Sequence, residues 1–346
     1  WKQETRTVLL ADTEENEFIV WNDAIKRYIN WSVWRLLQSP KSFLNSRDEI
    51  KTIMLWNQFT LTWIVSIIIK DFKVRLENIV WDNVDSVLLW RPVHFHDEDE
   101  KLDRLAQDRL ENAARVAWFK NIEFQLEPLA AAKTYQSTLQ KWQEERVIIS
   151  DLWWWTSDFS LLHMTSDTME VLWNTWVYIG WNNFDKKLSY DFFSPHLWRW
   201  TLFNSMWRQL EVPTTFYHTL SDWKRLHELW DRRTKLDILW LYWLSLEKDK
   251  FWRLCDITNN PLLWYEYFEW VEFTKKQLSQ DEVYNWNFNF FKNPLDFEIS
   301  RVLFEQLIQE EIYRIVKTIE ELLTQTWLKP ENIDKIFLTW GSSFLP

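Results

Sequence analysis

The sequence is almost without glycine. Two glycines occur in 346 residues, where an average share of about 7% would give roughly 24. It has one cysteine, Cys255, which excludes an internal disulfide framework and a cysteine-rich metal site. Cations are in deficit: the formal net charge of −11 excludes a general nucleic-acid binder, which needs a basic surface to displace counterions. The longest apolar run, around Trp63-Ile64-Val65-Ser66-Ile67-Ile68-Ile69, is too short to cross a bilayer, and no secretory leader pattern opens the chain. The expectation is a soluble, cytoplasmic protein with an ordinary core and no nucleic-acid or membrane partner.

What stands in place of glycine is tryptophan, 29 residues of it. A globular chain uses glycine where φ must be positive, at helix C-caps and tight turns. Tryptophan occupies such places here: Trp21-Asn22, Trp81-Asp82-Asn83, Trp118-Phe119-Lys120-Asn121 after one helical run, and Trp327-Leu328-Lys329-Pro330 after another. Most of these tryptophans are therefore read as occupying glycine positions of a parent pattern. Trp223 and Trp286 instead fit their amphipathic surroundings as native tryptophans.

Periodicity gives the organisation. Residues 47–80 are predicted helical from the spacing of Ile50, Ile53, Met54, Leu61, Ile64, Ile68 and Phe72. A short strand over 86–93, an amphipathic helix over 98–117 and a strand over 122–126 follow. Pro128 then opens a helix. Residues 146–164 form a strand-turn-strand hairpin, 201–280 are mostly helical, and 288–291 form a strand. A long helix over about 298–326 and a strand over 335–339 close the chain. Strands alternating with helices, plus one helical insertion, indicate a two-lobed α/β architecture.

The chemistry lies in the hairpin. Its turn reads Asp151-Leu152-Trp153-Trp154-Trp155-Thr156. With glycine at the three tryptophans it becomes a phosphate-binding turn, whose backbone N–H groups converge on an anion only where no Cβ intervenes. Four further segments accompany it. They are Glu127-Pro128-Leu129-Ala130-Ala131-Ala132 after the strand and helix that Leu89-Trp90-Arg91-Pro92 opens; Gly180-Trp181-Asn182-Asn183-Phe184-Asp185; Glu272-Phe273-Thr274-Lys275-Lys276-Gln277-Leu278-Ser279; and Thr339-Trp340-Gly341-Ser342-Ser343-Phe344. Glu272, Lys275, Lys276 and Ser279 share one helix face by their spacing.

In this order the segments resemble the nucleotide-binding domain of the heat-shock-seventy chaperones, within the actin-like ATPase superfamily. They are most similar to a bacterial branch lacking the peptide-binding domain. The resemblance implies two ribonuclease-H-like lobes: a first over 1–145 and a second over 146–346, with a helical insertion at about 181–297. No Asp-x-Gly-Thr-x-x-Ser hairpin precedes residue 35, so the expected chain is one trimmed at both ends.

The resemblance further implies ATP or ADP in a cleft between lobes, with Mg²⁺ held by Asp151 through water. Asp151 and Glu127 would orient the attacking water, Thr156 would bond the γ-phosphate region, and Lys41, in the looser match Gln38-Ser39-Pro40-Lys41-Ser42-Phe43, would stabilise the transferring phosphoryl group. Leu152, Trp153, Trp154, Trp155, Gly180 and Trp181 would line the phosphates. Glu272, Lys275, Lys276, Ser279, Trp340, Gly341, Ser342 and Phe344 would hold the adenosine. Client or co-chaperone proteins are the implied partners. Where the family carries a second aspartate this chain has Asn183, and where many members carry an adenine-stacking arginine it has Phe344.

Plainer readings remain open. Glu127 before a proline also fits a helix-start carboxylate; the Glu272–Ser279 face fits a solvated surface; His94 and His96 lack a third metal ligand. A catalytically dead relative, or a tryptophan-rich scaffold whose indoles stack on a partner, stays as the alternative function. Indoles at 153, 154 and 155 fill the space meant for phosphates, so the chain as written is expected to bind and turn over ATP poorly. Some two dozen tryptophans at glycine positions would each add about 1–3 kcal/mol wherever positive φ is demanded, and the expectation is that the chain as written does not fold as this family does.

Overall fold

The computed structural model describes residues 7–30, 35–38, 40–95, 99–153, 156–222, 225, 228–229, 231–246, 248–288 and 295–339. Trp154, Trp155, Trp340, Gly341, Ser342 and Phe344, named above for the site, lie outside the described residues, as do His96 and Trp223. The chain divides into two compact units, Trp1–Thr134 and Tyr135–Pro346. Both mix helices and sheets, in agreement with the α/β class expected of an actin-like ATPase domain.

In the first unit β1 (Val8–Asp12) lies between β2 (Glu17–Val20) and β3 (Arg35–Gln38) in an antiparallel sheet, with α1 (Trp21–Asn30) in the connection. That central place explains why all five residues of β1 are buried. A hairpin of β4 (Lys51–Met54) and β5 (Asn57–Thr60) follows, then α2 (Leu61–Val80). Next come β6 (Ser86–Arg91), α3 (Glu100–Val116), β7 (Asn121–Leu126) and α4 (Glu127–Gln136). β6 and β7 pair in parallel, which requires a long crossover, and α3 supplies it. Leu110 and Ala113 of α3 pack with Leu61 and Val65 of α2 in one buried cluster.

In the second unit β8 (Glu144–Leu152), β9 (Ser157–Thr165) and β10 (Met169–Val177) form an antiparallel meander. Then come α5 (Trp181–Lys187), the hairpin β11 (Leu202–Ser205) and β12 (Arg208–Glu211), and the helices α6 (Thr215–Leu220), α7 (Arg232–Leu244), α8 (Lys248–Asn259) and α9 (Pro261–Leu278). A further hairpin, β13 (Val283–Phe288) with β14 (Leu295–Ser300), leads into α10 (Arg301–Gln325). The last strand, β15 (Lys335–Thr339), returns to lie parallel to β8, giving the order β10-β9-β8-β15. Strands on both sides of β8 account for its unbroken apolar run, Val147-Ile148-Ile149, all buried. Ile148, Phe159 and Leu161 are covered by Leu322, with Ile315 and Ile319 beside it.

A second cluster of this unit gathers Phe193, Tyr217, Leu254, Cys255, Trp264, Tyr267 and Val271 with Phe304 and Ile308 of α10. Burial pushes the Cys255 thiol up to about 12, so it is a protonated, inert core group. Trp286 is buried there against Phe193 and Phe288, in keeping with a native tryptophan.

Residues 47–80 are not one helix, because β4 and β5 occupy 51–60. Leu55 and Trp56 between them have φ of 47° and 63°, as a two-residue hairpin turn requires at both central positions. The turn signal was hidden because tryptophan fills a place that asparagine-glycine would mark. Residues 201–280 are mostly helical, as expected, with the β11–β12 hairpin before the helices, turning at Met206 with φ 44°. Of the strand expected at 288–291 only Phe288, the last residue of β13, is described, residues 289–291 lying outside the described residues, and residues 298–300 belong to β14 rather than to the long helix. The hairpin β1–β2 and strand β10 escaped the sequence reading.

Ten described non-glycine residues have positive φ, and seven of them are tryptophan: Trp21, Trp56, Trp81, Trp118, Trp198, Trp200 and Trp327. Trp21, Trp81, Trp118 and Trp327, the four places singled out in sequence, are all among them. Trp81 caps α2 in the left-handed region, its N–H bonded to the Glu77 carbonyl, as a C′ glycine would. Trp327 and Trp81 are almost wholly exposed, at 93% and 91%. Their side chains pack on little, so the backbone cost of about 1–2 kcal/mol for a left-handed residue goes uncompensated. Seven, not two dozen, is the number of described tryptophans under this strain.

Candidate functional site

The second unit carries the denser set of site residues. Asp151 sits near the end of β8, buried, directly across from Thr339 of β15. The Thr339 hydroxyl donates to Asp151 Oδ1 at 2.7 Å, and the indole N–H of Trp153 donates to Oδ2 at 2.9 Å. The turn after β8 is closed by the Trp153 N–H donating to the Thr156 carbonyl at 2.8 Å. The Thr156 hydroxyl donates to Asp158 Oδ2 at 3.0 Å, so it is held at the turn by the first residues of β9.

A second turn is stitched to the first. The Trp181 N–H donates to the Trp153 carbonyl at 3.1 Å. The Ser157 hydroxyl donates to the Ile179 carbonyl at 2.6 Å. Gly180 caps α5: its N–H donates to Asn183 Oδ1 at 3.0 Å, while the Asn183 N–H donates back to the Gly180 carbonyl at 2.9 Å. Asn183, which departs from the family aspartate, thus has a local structural role that an amide fills well. Gly180 itself is extended, with φ −147°, a conformation open to any residue.

From α5 the site reaches α9. Asp185 and Lys275 form an ion pair of 2.6 Å, both buried. Burial pushes the Asp185 carboxyl up to about 6 despite the opposing pull of Lys275. The Trp181 ring covers the other side of Lys275, 4.3 Å from the ammonium to the ring centroid. The next residue, Lys276, pairs with Glu272, one turn back along α9, at 2.7 Å. A shallow cavity of about 270 Å³ is lined by Glu269, Trp270, Glu272, Phe273 and Lys276. The face expected to grip one ligand is therefore divided. Glu272 and Lys276 border a cavity, Lys275 turns inward to Asp185, and the Ser279 hydroxyl donates back to the Lys275 carbonyl at 3.1 Å.

In the first unit, Lys41 and Glu127 come together across 86 residues of sequence. Lys41 lies in a short 3₁₀ turn, Pro40–Phe43. Its ammonium donates to Glu127 Oε1 at 3.0 Å and to the Trp90 carbonyl at 2.8 Å. Glu127 begins α4 directly after β7, so the parallel β6–β7 pair and the 3₁₀ turn together fix the contact.

Sequence reasoning missed Thr339 as the partner of Asp151, Asp185 as the partner of Lys275, and Glu269, Trp270 and Phe273 as cavity walls. Glu269 and Phe273 were legible as the i−3 and i+1 neighbours of Glu272 on one helix. Thr339 was not, because only the parallel return of β15 puts it opposite Asp151. Among the described residues there is no group of three or more histidine, cysteine, aspartate or glutamate side chains able to hold a metal, and no helix long and apolar enough to cross a membrane.

Comparison with known proteins agrees with this picture. The family model for Hsp70 protein matches residues 239–346. The chain is 23% identical over 345 residues to the chaperone protein DnaK of Thermosipho africanus, covering 99% of this chain and 48% of that protein. It is 24% identical over 272 residues to DnaK of Cyanidioschyzon merolae, covering 77% of this chain and 35% of that protein. DnaK of Thermosipho melanesiensis is 22% identical over 345 residues, with 99% and 48% covered. The chain is thus similar to Hsp70 chaperones at the level of the family, and it spans about half the length, or less, of these relatives.

Proposed function

We propose that the chain is the nucleotide-binding part of an Hsp70-type chaperone and takes ATP or ADP. One observation carries this reading: the turn after Asp151 is hydrogen-bonded to the start of α5, and α5 is ion-paired to α9. A phosphate-binding turn and an adenosine-binding helix thereby meet within one unit, in the order the family resemblance requires. The turn 152–156 takes the phosphates with Gly180 and Trp181. Glu272 and Lys276 take the adenosine at the cavity they border, Lys275 offers its charge beneath the Trp181 ring, and Ser279 holds the helix behind them. Ser342 and Phe344 complete the adenosine site by resemblance.

ATP hydrolysis belongs to the same proposal. It assigns Asp151 and Glu127 to orienting the attacking water, Thr156 to the γ-phosphate region, and Lys41 to the charge of the transferring group. Nucleotide state would then act as a conformational switch for client or co-chaperone proteins in the cytoplasm. The Mg²⁺ that the resemblance implies would be held by Asp151 through water. Both carboxylate oxygens of Asp151 already accept a side-chain donor, from Thr339 and Trp153, so a hydrated cation there would compete with the Trp153 indole N–H for the carboxylate.

The test is thermal unfolding of a variant with glycine at 153, 154 and 155, with and without ADP. At ligand a hundredfold above Kd, stabilisation of about 2.7 kcal/mol is expected. A cooperative melt that ADP and ATP leave unmoved would refute the nucleotide reading.

A further inference from the structure

Two indoles of this site rest on two of its charged groups. Trp153 donates its indole N–H to Asp151 Oδ2 at 2.9 Å, while Thr339 occupies Oδ1 at 2.7 Å and also donates to the Ser150 carbonyl at 3.3 Å. Trp181 lays its ring over the Lys275 ammonium at 4.3 Å, on a cation that already contacts Asp185. The two tryptophans are joined through the backbone, Trp181 N–H to Trp153 carbonyl at 3.1 Å. Neither sits at positive φ, so neither position needs glycine for its backbone. What a side chain does here is a separate matter from turn strain.

We propose that the site is self-occupied. The Trp153 N–H replaces the water of a bound cation at Asp151, and the Trp181 face replaces a nucleotide's electron-rich groups above Lys275. The chemistry of the substitution is direct. An indole N–H bonding a buried carboxylate is a charge-assisted hydrogen bond, and its donor is the same kind of group that a metal-bound water presents. An aromatic face over an ammonium supplies electrostatic attraction where an anion or a base would otherwise supply it. A ligand must displace both indoles, so its affinity is lowered by the two contacts it breaks. This inference rests on the nucleotide reading of the site and explains how the chain would resist the ligand its fold is built for.

The substitutions are Trp153→Ala, Trp181→Ala and the double variant. Alanine tolerates both backbone conformations and preserves the bonds made by the two N–H groups of the main chain. Trp142→Ala, at an exposed turn, is the control. Binding is read by fluorescence of a methylanthraniloyl-ADP probe, with and without MgCl₂. Each single alanine at 153 or 181 is expected to tighten probe binding about tenfold, the Trp153 variant only when Mg²⁺ is present, with the Trp142 variant unchanged. A parent chain that binds the probe as tightly as the variants overturns self-occupancy and leaves the nucleotide reading standing. Folded variants that bind no better than a parent that does not bind overturn both.

A second measurement avoids dependence on the folding of the alanine variants. In the parent chain labelled with ¹⁵N at the indole, the N–H resonance that Trp153→Phe removes is expected to shift upfield in Asp151→Asn. An unmoved resonance shows that the contact is not made and overturns the inference.

Discussion

Two lysine–carboxylate pairs, one in each unit, are alike in chemistry and differ in physical character. Lys41 and Glu127 meet at 3.0 Å with side-chain exposures of 38% and 10%. Lys275 and Asp185 meet at 2.6 Å with both at 1%. The first pair keeps access to water, so its lysine can exchange one anion for another at small cost. The second has lost its hydration and cannot release its partner without leaving a bare buried charge. Pairing therefore says little about role until burial is known. Lys41–Glu127 stays open to solvent on its lysine side, and Lys275–Asp185 holds α5 against α9.

The contrast breaks first at Lys275. Lys275→Met is expected to cost the protein about 3–5 kcal/mol in urea unfolding, because Asp185 is left buried and unpaired. Adding Asp185→Leu should recover most of that loss. A cost under 1 kcal/mol for Lys275→Met would show that the pair is not buried as described.

The pH dependence follows from Asp185, whose carboxyl is raised from 3.8 to about 6 by burial. A raised folded-state pKa means the folded chain binds the extra proton between these values. The stability this group contributes is complete below pH 3.8 and is lost as pH rises through about 6. Urea unfolding of parent and Asp185→Asn across pH 4 to 7 should show the parent losing stability relative to the variant over that window. Parallel curves would rule out the shift.

A smaller effect separates side-chain burial from backbone strain. Trp81→Gly removes an exposed ring from a left-handed C-cap and is expected to raise stability by about 1 kcal/mol. Trp142→Gly, at an exposed position not in the left-handed region, should not. A fall in the melting temperature of the Trp81 variant would contradict the assignment of that position to glycine. The smallest change is expected at the solvated pair: Lys41→Met should alter stability by less than about 1 kcal/mol while abolishing ATP turnover in a glycine-restored chain. Turnover unaffected by this substitution would remove Lys41 from the catalytic set.

Much of the fold was legible because patterns repeat locally. The α3 helix announced itself by Leu110, Ala113 and Ala114 on one side, and β8 by Val147-Ile148-Ile149. The β4–β5 hairpin did not, since the residues that usually mark its turn are Leu55 and Trp56. Among the candidates, Asp151, Thr156 and Glu127 were named by resemblance to family segments, and helical spacing put Glu272 and Lys276 on one side of α9. The inward turn of Lys275 was not legible, because position 275 differs from 276 only in which neighbour the helix face meets.

The sequence by itself determined the α/β class, the order of the site segments and the tryptophan-for-glycine pattern, since each is written in near neighbours along the chain. The tertiary structure alone decided what each charge does. Thr339 reaches Asp151 from 188 positions away, and Asp185 reaches Lys275 across 90, because strand return and helix packing bring them into contact. A charge's role depends on the solvent it has lost and the partner it has gained, and both are properties of packing rather than of spacing.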